Sequence, residues 1–188
     1  MRNPNYAGFT LIEIMLSLGI IGIIILMLFP LFSISIQIFQ KTDDSAELQY
    51  QGQFAMNFMG NKIMEAVSIE AILNEKNKDI TDQIPTDKIR ISKMVFAKPK
   101  PNDKNEVNIF EVKYDKLFYG VADSPHKSAT TEVAAYIKEI WVLPFPEGRS
   151  FTNAKTLQII MHLAKNRKNT EIVGTFHLRN YKTKENTD

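Results

Sequence analysis

The stretch GFTLIEIMLSLGIIGIIILMLFP, from Gly8 to Pro30, decides how the chain is organised. Glu13 is the one ionisable side chain between Phe9 and Gln40, and it lies near the start of an otherwise apolar run. As a helix, the 23 uncharged residues from Ile14 to Ile36 would be about 34 Å long, enough to cross the core of a bilayer with some tilt. The sequence therefore predicts a membrane-spanning helix with a carboxylate near its N-terminal end.

The segment differs from the core of an ordinary secretory signal peptide. Such a core holds about 7 to 15 apolar residues before a small-residue cleavage site, whereas this run is longer and no Ala-x-Ala signal follows it. The polar leader MRNPNYAG precedes the run, with Arg2 as its basic side chain. We predict a leader at 1–8 and a membrane helix at 9–40. The positive-inside rule places the N-terminus in the cytoplasm and the C-terminal domain outside.

The junction between leader and helix resembles a known motif. Gly8, followed by Phe9 and by Glu13 four residues later, is similar to the cleavage and methylation motif of type IV prepilins and pseudopilins. Pro30 also lies where that family tends to place a proline in its helix. The resemblance implies that prepilin peptidase cleaves between Gly8 and Phe9 and that the new Phe9 amine is methylated. It further implies assembly with other subunits on a membrane platform.

Glu13 has an expected partner if this resemblance is correct. A charged side chain inside a membrane costs on the order of 2.5 to 3.5 kcal/mol, so the carboxylate is best placed beside a cation. The resemblance implies that the cation is the Phe9 amine of a neighbouring subunit. The alternative is a carboxylate that reaches the membrane surface alone. Pro30 removes a backbone donor, which predicts a kink near Leu26 that assembly could use.

Past the membrane segment, an amphipathic helix is predicted over residues 41–74. Its apolar stripe recurs at helical spacing and contains Leu48, Ala55, Met59, Ile63, Ala66 and Val67. Asp44 and Glu47 could instead cap a new helix through a capping box. The resemblance favours one long helix.

Residues 75–188 change to the period of strands. Six apolar runs predict an antiparallel sheet of about six strands: KIRISKMVFA, NIFEVKY, KLFYGVA, YIKEIWVLPF, TLQIIMHLAK and EIVGTFHLRN. The sheet needs an apolar cover, which the amphipathic stripe can supply. The predicted fold is therefore α+β and pilin-like, with a long N-terminal helix packed on the sheet. TFHLRN is similar to the final strand of some minor pilins and pseudopilins.

Composition and motifs give no support to catalysis, a metal or a cofactor. The three histidines are scattered, no nucleophile motif accompanies Asp123, Ser124 and His126, and the absence of Cys excludes disulfides and thiolate ligands. The formal net charge of +2 indicates no general nucleic-acid surface. A local cluster contains Lys165, Arg167 and Lys168, with Arg179, Lys182 and Lys184 nearby, and could contact DNA through its phosphates.

Three functions remain open from the sequence. The leading one is a structural subunit, a minor pilin or pseudopilin, which enters a type IV pilus, a type II secretion pseudopilus or a competence pseudopilus. The second is a DNA-binding or surface-binding subunit of such a filament. The third is an uncleaved single-span membrane protein with an extracytoplasmic ligand-binding domain.

Overall fold

A computed structural model describes residues 8–99 and 106–181. One long helix comes first and strands follow. The elements are α1 (Leu11–Glu65), β1 (Ser68–Asn74), β2 (Ile89–Ala97), β3 (Val107–Lys113), β4 (Lys116–Ala122), β5 (Thr131–Ala135), β6 (Ile137–Phe145), a 3-10 helix (Phe151–Asn153), β7 (Thr156–Lys165) and β8 (Lys168–His177). The predicted α+β architecture, a long helix on an antiparallel sheet, is confirmed.

The chain divides into two compact units, Met1–Asp43 and Asp44–Asp188. In the first unit, the side chains from Gly8 to Asp43 are exposed, apart from the half-exposed Ser33. α1 is long and apolar enough to cross a membrane by its length and composition. This unit therefore has no core of its own and needs lipid or other helices around it.

The second unit contains one antiparallel sheet of eight strands. Seven strands follow the order β5-β4-β3-β2-β6-β7-β8, and β1 pairs with β2 beside this path. The consecutive strands β3 and β4 form one hairpin, and β7 and β8 form another. Both have two-residue turns in which Asn166 and the pair Tyr114 and Asp115 adopt positive φ, as expected for tight hairpins.

The α1 stripe covers one face of this sheet. Leu48, Ala55, Met59 and Ile63 are fully buried, as predicted. They pack in one core with the inward residues of β7, namely Leu157, Ile159, Met161 and Leu163. We call this side of the sheet the α1 face and the opposite side the outer face. The apolar burial on the α1 face is the main stabilising contribution to the unit.

Two glycines let α1 approach β8 closely. A Cβ atom on Gly60 would lie 2.2 Å from Cε1 of Phe176. A Cβ atom on Gly52 would lie 2.7 Å from Cγ1 of Ile172 and 2.9 Å from Cδ1 of Leu163. Both distances are shorter than a van der Waals contact, so larger residues would push the helix from the sheet.

The predicted helix at 41–74 is wrong in its last part, because α1 ends at Glu65 and Ser68–Asn74 forms β1. Two hydrogen bonds from the segment after β8 account for the end of α1. The backbone N–H of Arg179 donates to the Met64 carbonyl at 3.1 Å, and Asn180 Nδ2 donates to the Glu65 carbonyl at 3.1 Å. These bonds satisfy carbonyls that a helix end leaves free. The Val67 N–H then donates to the Ala97 carbonyl, which begins the pairing of β1 with β2.

The expected number of strands, about six, is also too low. β1 and β5 are the additional strands. The residues between β2 and β3 fall mostly at 100–105, outside the described residues.

A buried lysine holds the segment between β4 and β5 against the outer face. Lys93 Nζ donates to the carbonyls of Pro125 at 2.7 Å and Lys127 at 2.8 Å. Burial lowers the pKa of Lys93. Ala129 of this segment packs in a second apolar cluster with Ala71, Val95, Val107 and Ile109 of the sheet.

Candidate processing and assembly site

The predicted scissile bond lies in accessible backbone. Gly8, Phe9 and Thr10 have no regular secondary structure, and α1 begins at Leu11. The Phe9 side chain is 84% exposed, and no atom lies within 4 Å of the position that a Cβ on Gly8 would take. A protease can therefore reach the non-helical peptide just ahead of the helix. The leader residues 1–7 lie outside the described residues.

Glu13 closes a capping box at the start of α1. Its Oε2 accepts hydrogen bonds from the backbone N–H of Thr10 at 2.8 Å and from Thr10 Oγ1 at 2.9 Å. The Glu13 N–H donates in return to Thr10 Oγ1 at 3.4 Å. Thr10 is therefore the N-cap and Glu13 the third helical residue of a Thr-x-x-Glu motif. The carboxylate also lies at the positive end of the helix dipole.

This role was missed in the sequence analysis, although its signal is present. TLIE at residues 10–13 has the capping-box pattern. The capping box considered for Asp44 and Glu47 does not start a helix, because α1 continues without a break through both residues. The capping role is compatible with the predicted pairing to a neighbouring Phe9 amine, since Oε1 has no partner within this capping box.

Three hydroxyl groups in α1 find acceptors within the helix. The side chains of Ser17, Ser35 and Thr42 each donate to the carbonyl four residues earlier, at 2.7 to 2.9 Å. Such bonds let polar residues enter lipid at low cost. Pro30 lies inside α1, with helix on both sides. Pro30 has no N–H to donate to the Leu26 carbonyl, which is the basis of the predicted kink. The kink itself stays a prediction.

A comparison with family models now bears on these residues. The model described as the prokaryotic N-terminal methylation motif matches residues 3–29. The N-terminus therefore carries this methylation motif, which supports the resemblance to type IV prepilins and pseudopilins. The match covers the predicted cleavage position, the capping box and most of the apolar run. Neither a curated protein nor a solved structure matches the chain.

One member of the basic cluster predicted to contact DNA, Lys165, already has acidic partners. Lys165 Nζ contacts Asp44 Oδ1 at 3.0 Å and Glu47 Oε2 at 2.5 Å, and it lies 5.2 Å from the Tyr136 ring centre. Asn166 Nδ2 donates to Asp44 Oδ2 at 2.8 Å. We call these four polar residues, Asp44, Glu47, Lys165 and Asn166, the hairpin clamp. Its carboxylates raise the pKa of Lys165.

The other basic residues are dispersed. Arg167 is exposed in the β7–β8 turn and Lys168 is half-buried. Arg179 lies against the end of α1, where its Nη2 is 3.8 Å from Met64 Sδ. Lys182 and Lys184 lie outside the described residues. Within the described part of the chain, no group of three His, Asp or Glu side chains is arranged to hold a metal.

Proposed function

We propose that this protein is a structural subunit of a type IV pilus or of a secretion or competence pseudopilus, with a minor rather than a major role. The methylation motif at residues 3–29 carries the proposal. The exposed apolar half of α1 supports it, because that helix offers a surface for lipid before assembly and for other helices afterwards.

In this proposal the chain first enters the cytoplasmic membrane with its N-terminus inside. Prepilin peptidase then cleaves between Gly8 and Phe9, and the Phe9 amine is methylated. The positive amine of one subunit pairs with Glu13 of a neighbour on the assembly platform. A helix at the wrong axial position would leave both charges unpaired among apolar groups, which is costly. The chain has a structural role and no catalytic one.

N-terminal sequencing and intact mass of the chain purified from its native membrane test the proposal. The expected result is a first residue of methylated Phe9. A chain that keeps Met1 would contradict it and favour an uncleaved single-span protein. Gly8→Leu gives a matched variant in which cleavage should be blocked. We expect the second unit to stay folded and the leader to stay attached.

DNA binding is not the function that the geometry favours. Lys165 already faces two carboxylates in the hairpin clamp. Salt-dependent DNA retention that is lost on replacing Arg167 and Lys168 would reverse this judgement.

A further inference from the structure

The sheet of the second unit has three strands at its margins, and two of them are protected. Beside β1, the Ile80 N–H donates to the Ile72 carbonyl at 2.9 Å, and the Ile72 N–H donates to Thr81 Oγ1 at 2.8 Å. The Asn74 N–H donates to the Lys78 carbonyl at 3.0 Å. The segment after β1 therefore occupies the backbone groups of Ile72 and the N–H of Asn74 in the second half of this margin.

β5 is protected in a different way. It is five residues long, and its pairing with β4 shifts register between Leu117 and Phe118. The Ala135 N–H donates to Gln51 Oε1 at 3.2 Å. A short, irregular edge with an occupied donor offers little for another strand to pair with.

β8 forms the third margin and is regular along its whole length. Its ten residues pair with β7 without a shift, from Lys168 opposite Lys165 to His177 opposite Thr156. The Leu178 N–H donates to the Lys155 carbonyl at 2.9 Å. Because alternate residues of an antiparallel strand face the partner, even-numbered residues bond to β7. The odd-numbered residues direct their backbone groups outward: Asn169, Glu171, Val173, Thr175 and His177.

These outward groups are accessible and unprotected. All five residues are exposed, with Val173 at 51%. Between residues 8–99 and 106–181, no hydrogen bond joins their backbone groups to another element. Edge strands are commonly guarded by lysine, proline or a bulge. From Asn169 to His177 the strand contains no lysine or proline, its register has no bulge, and Glu171 is its one acidic residue.

We propose that the outer edge of β8 is a docking edge that accepts an extended strand from a different subunit of the filament. This inference rests on the proposed function, since it takes other filament subunits as the source of the strand. Alternating N–H and carbonyl groups at strand spacing fit the backbone of another extended chain.

The side chains beside the edge define the partner strand. On the α1 face, Ile172 and Phe176 pack on the core but stay half-buried, because no strand lies beyond them. The partner therefore has apolar side chains on that face, which extend the cover of Ile172 and Phe176. On the outer face it has polar side chains, with a cation favoured beside Glu171.

The direction of α1 argues against pairing between two copies of β8. α1 runs alongside β8 in the same direction, because Asp44 contacts Asn166 before β8 and Gly60 contacts Phe176 near its end. An antiparallel pair of β8 strands would set the two helices in opposite directions. Under the proposed function, neighbouring subunits carry their helices in the same direction, which excludes this antiparallel pair. A parallel pair of β8 edges would turn the two α1 faces to opposite sides of the sheet, so Ile172 and Phe176 would gain no apolar cover. A strand other than β8 therefore fits this edge better.

A synthetic peptide with the β7 sequence, TLQIIMHLAK, serves as a probe of the edge in the full-length protein in detergent micelles. Four odd-numbered residues are apolar and suit the α1 face: Leu157, Ile159, Met161 and Leu163. Its even-numbered residues must then bond to the edge, because residues opposite each other across a sheet share a face. The expected result is about tenfold slower amide exchange at Glu171, Val173 and Thr175, with no change at even-numbered residues.

Two N-methylated forms of this peptide give a matched control. Methyl groups on the amides corresponding to Gln158, Ile160 and His162 remove the edge-facing donors, and binding should weaken at least about tenfold. Methyl groups on those corresponding to Ile159, Met161 and Leu163 should leave binding unchanged. Equal binding of the two forms, or no protection of β8 by the parent peptide, would overturn the proposal.

A variant tests the edge where the filament is made. Val173→Pro removes an outward N–H that β7 does not use, so the β7–β8 ladder is retained. We expect leader cleavage to continue while co-purification with other filament subunits falls, and Val173→Thr should behave like the native chain. Normal co-purification of Val173→Pro would count against the docking edge. A native chain that retains Met1 would instead refute the proposed function.

Discussion

At the scale of single residues, Glu13 has a structural role in the capping box and a proposed role in assembly. One carboxylate oxygen caps the helix through Thr10, and the negative charge is the feature that a neighbouring Phe9 amine would need. Glu13→Gln keeps an oxygen acceptor for the cap but removes the charge. We expect leader cleavage to persist and incorporation into sheared filaments to fall by at least about tenfold, equivalent to about 1.4 kcal/mol.

Thr10→Val separates the cap from the charge. It preserves the shape of the side chain, removes the hydroxyl of the capping box and leaves the Glu13 carboxylate in place. Loss of a cap costs about 1 kcal/mol of helix stability, so incorporation should fall less than in Glu13→Gln. Quantitative immunoblots of filament and membrane fractions compare the two variants. Filament levels of Glu13→Gln equal to those of the native chain would show that charge pairing is not used.

Gly60 controls the distance between α1 and β8. In Gly60→Ala, the new methyl group would meet the rigid ring of Phe176, and such overpacking costs about 1 to 3 kcal/mol. Gly52→Ala is the matched control, because its methyl group would meet Cγ1 of Ile172 and the Cδ1 end of Leu163, aliphatic side chains that can shift more easily than a ring. We expect a smaller loss there. Urea unfolding followed by the fluorescence of Trp141, the single tryptophan of the chain, measures both.

At the scale of elements, the hairpin clamp makes the attachment of β7–β8 to α1 depend on pH. Hydrogen bonds from Asn166 and Lys165 lower the pKa of Asp44 below its ordinary value. The folded pKa is then below the unfolded one, so this stabilisation is present above about pH 4 and is lost as the pH falls through the folded pKa. The pKa of Lys165 is raised. Its contribution is therefore present below about pH 10 and is lost as the pH rises further.

Lys165→Met should reduce both the stability lost at acid pH and the stability lost at alkaline pH. Thermal unfolding between pH 2 and pH 11 measures it through the midpoint temperature. Lys138→Met is the matched control, since Lys138 pairs with Asp115 at a more exposed position, where an ion pair contributes little. The same pH profile for the two variants would show that the hairpin clamp does not stabilise the fold.

The sequence predicted the elements whose signals are local. The α1 stripe and the four strands of the two hairpins were recognised because their apolar periods are regular. β1 was not recognised, since its register with β2 shifts twice and its buried residues Ile69, Ala71 and Ile72 do not alternate strictly. β5 was not recognised because it has five residues and its position depends on pairing with β4. Tertiary pairing, rather than local preference, decides both strands.

The same distinction applies to the candidate sites. The cleavage motif and the capping box are contiguous, so residues 8–13 are sufficient to identify them. The hairpin clamp joins residues more than a hundred positions apart. Its Lys165 therefore looked free for phosphate in the sequence, whereas the fold places it beside Asp44 and Glu47.

At the scale of the whole molecule, the stability of the second unit should be independent of the apolar half of α1 before Asp44. Leu48 is the first residue of the main core along the chain, and the hairpin clamp begins at Asp44. A fragment from Asp44 to Asp188 keeps both. We expect it to be monomeric in water and to unfold cooperatively, as measured by Trp141 fluorescence and by calorimetry.

A shorter fragment that begins at Gly52 shows whether the boundary is correct. It loses the acidic half of the hairpin clamp and Leu48, a fully buried side chain. Removal of a buried leucine side chain costs about 2 to 5 kcal/mol, a large part of the stability of a typical domain. The shorter fragment should therefore unfold at a clearly lower temperature or fail to fold. If the fragment from Asp44 aggregates while the full-length chain in micelles unfolds cooperatively, the membrane half contributes to the fold. The exposed apolar residues before Asp44 would then serve stability as well as assembly.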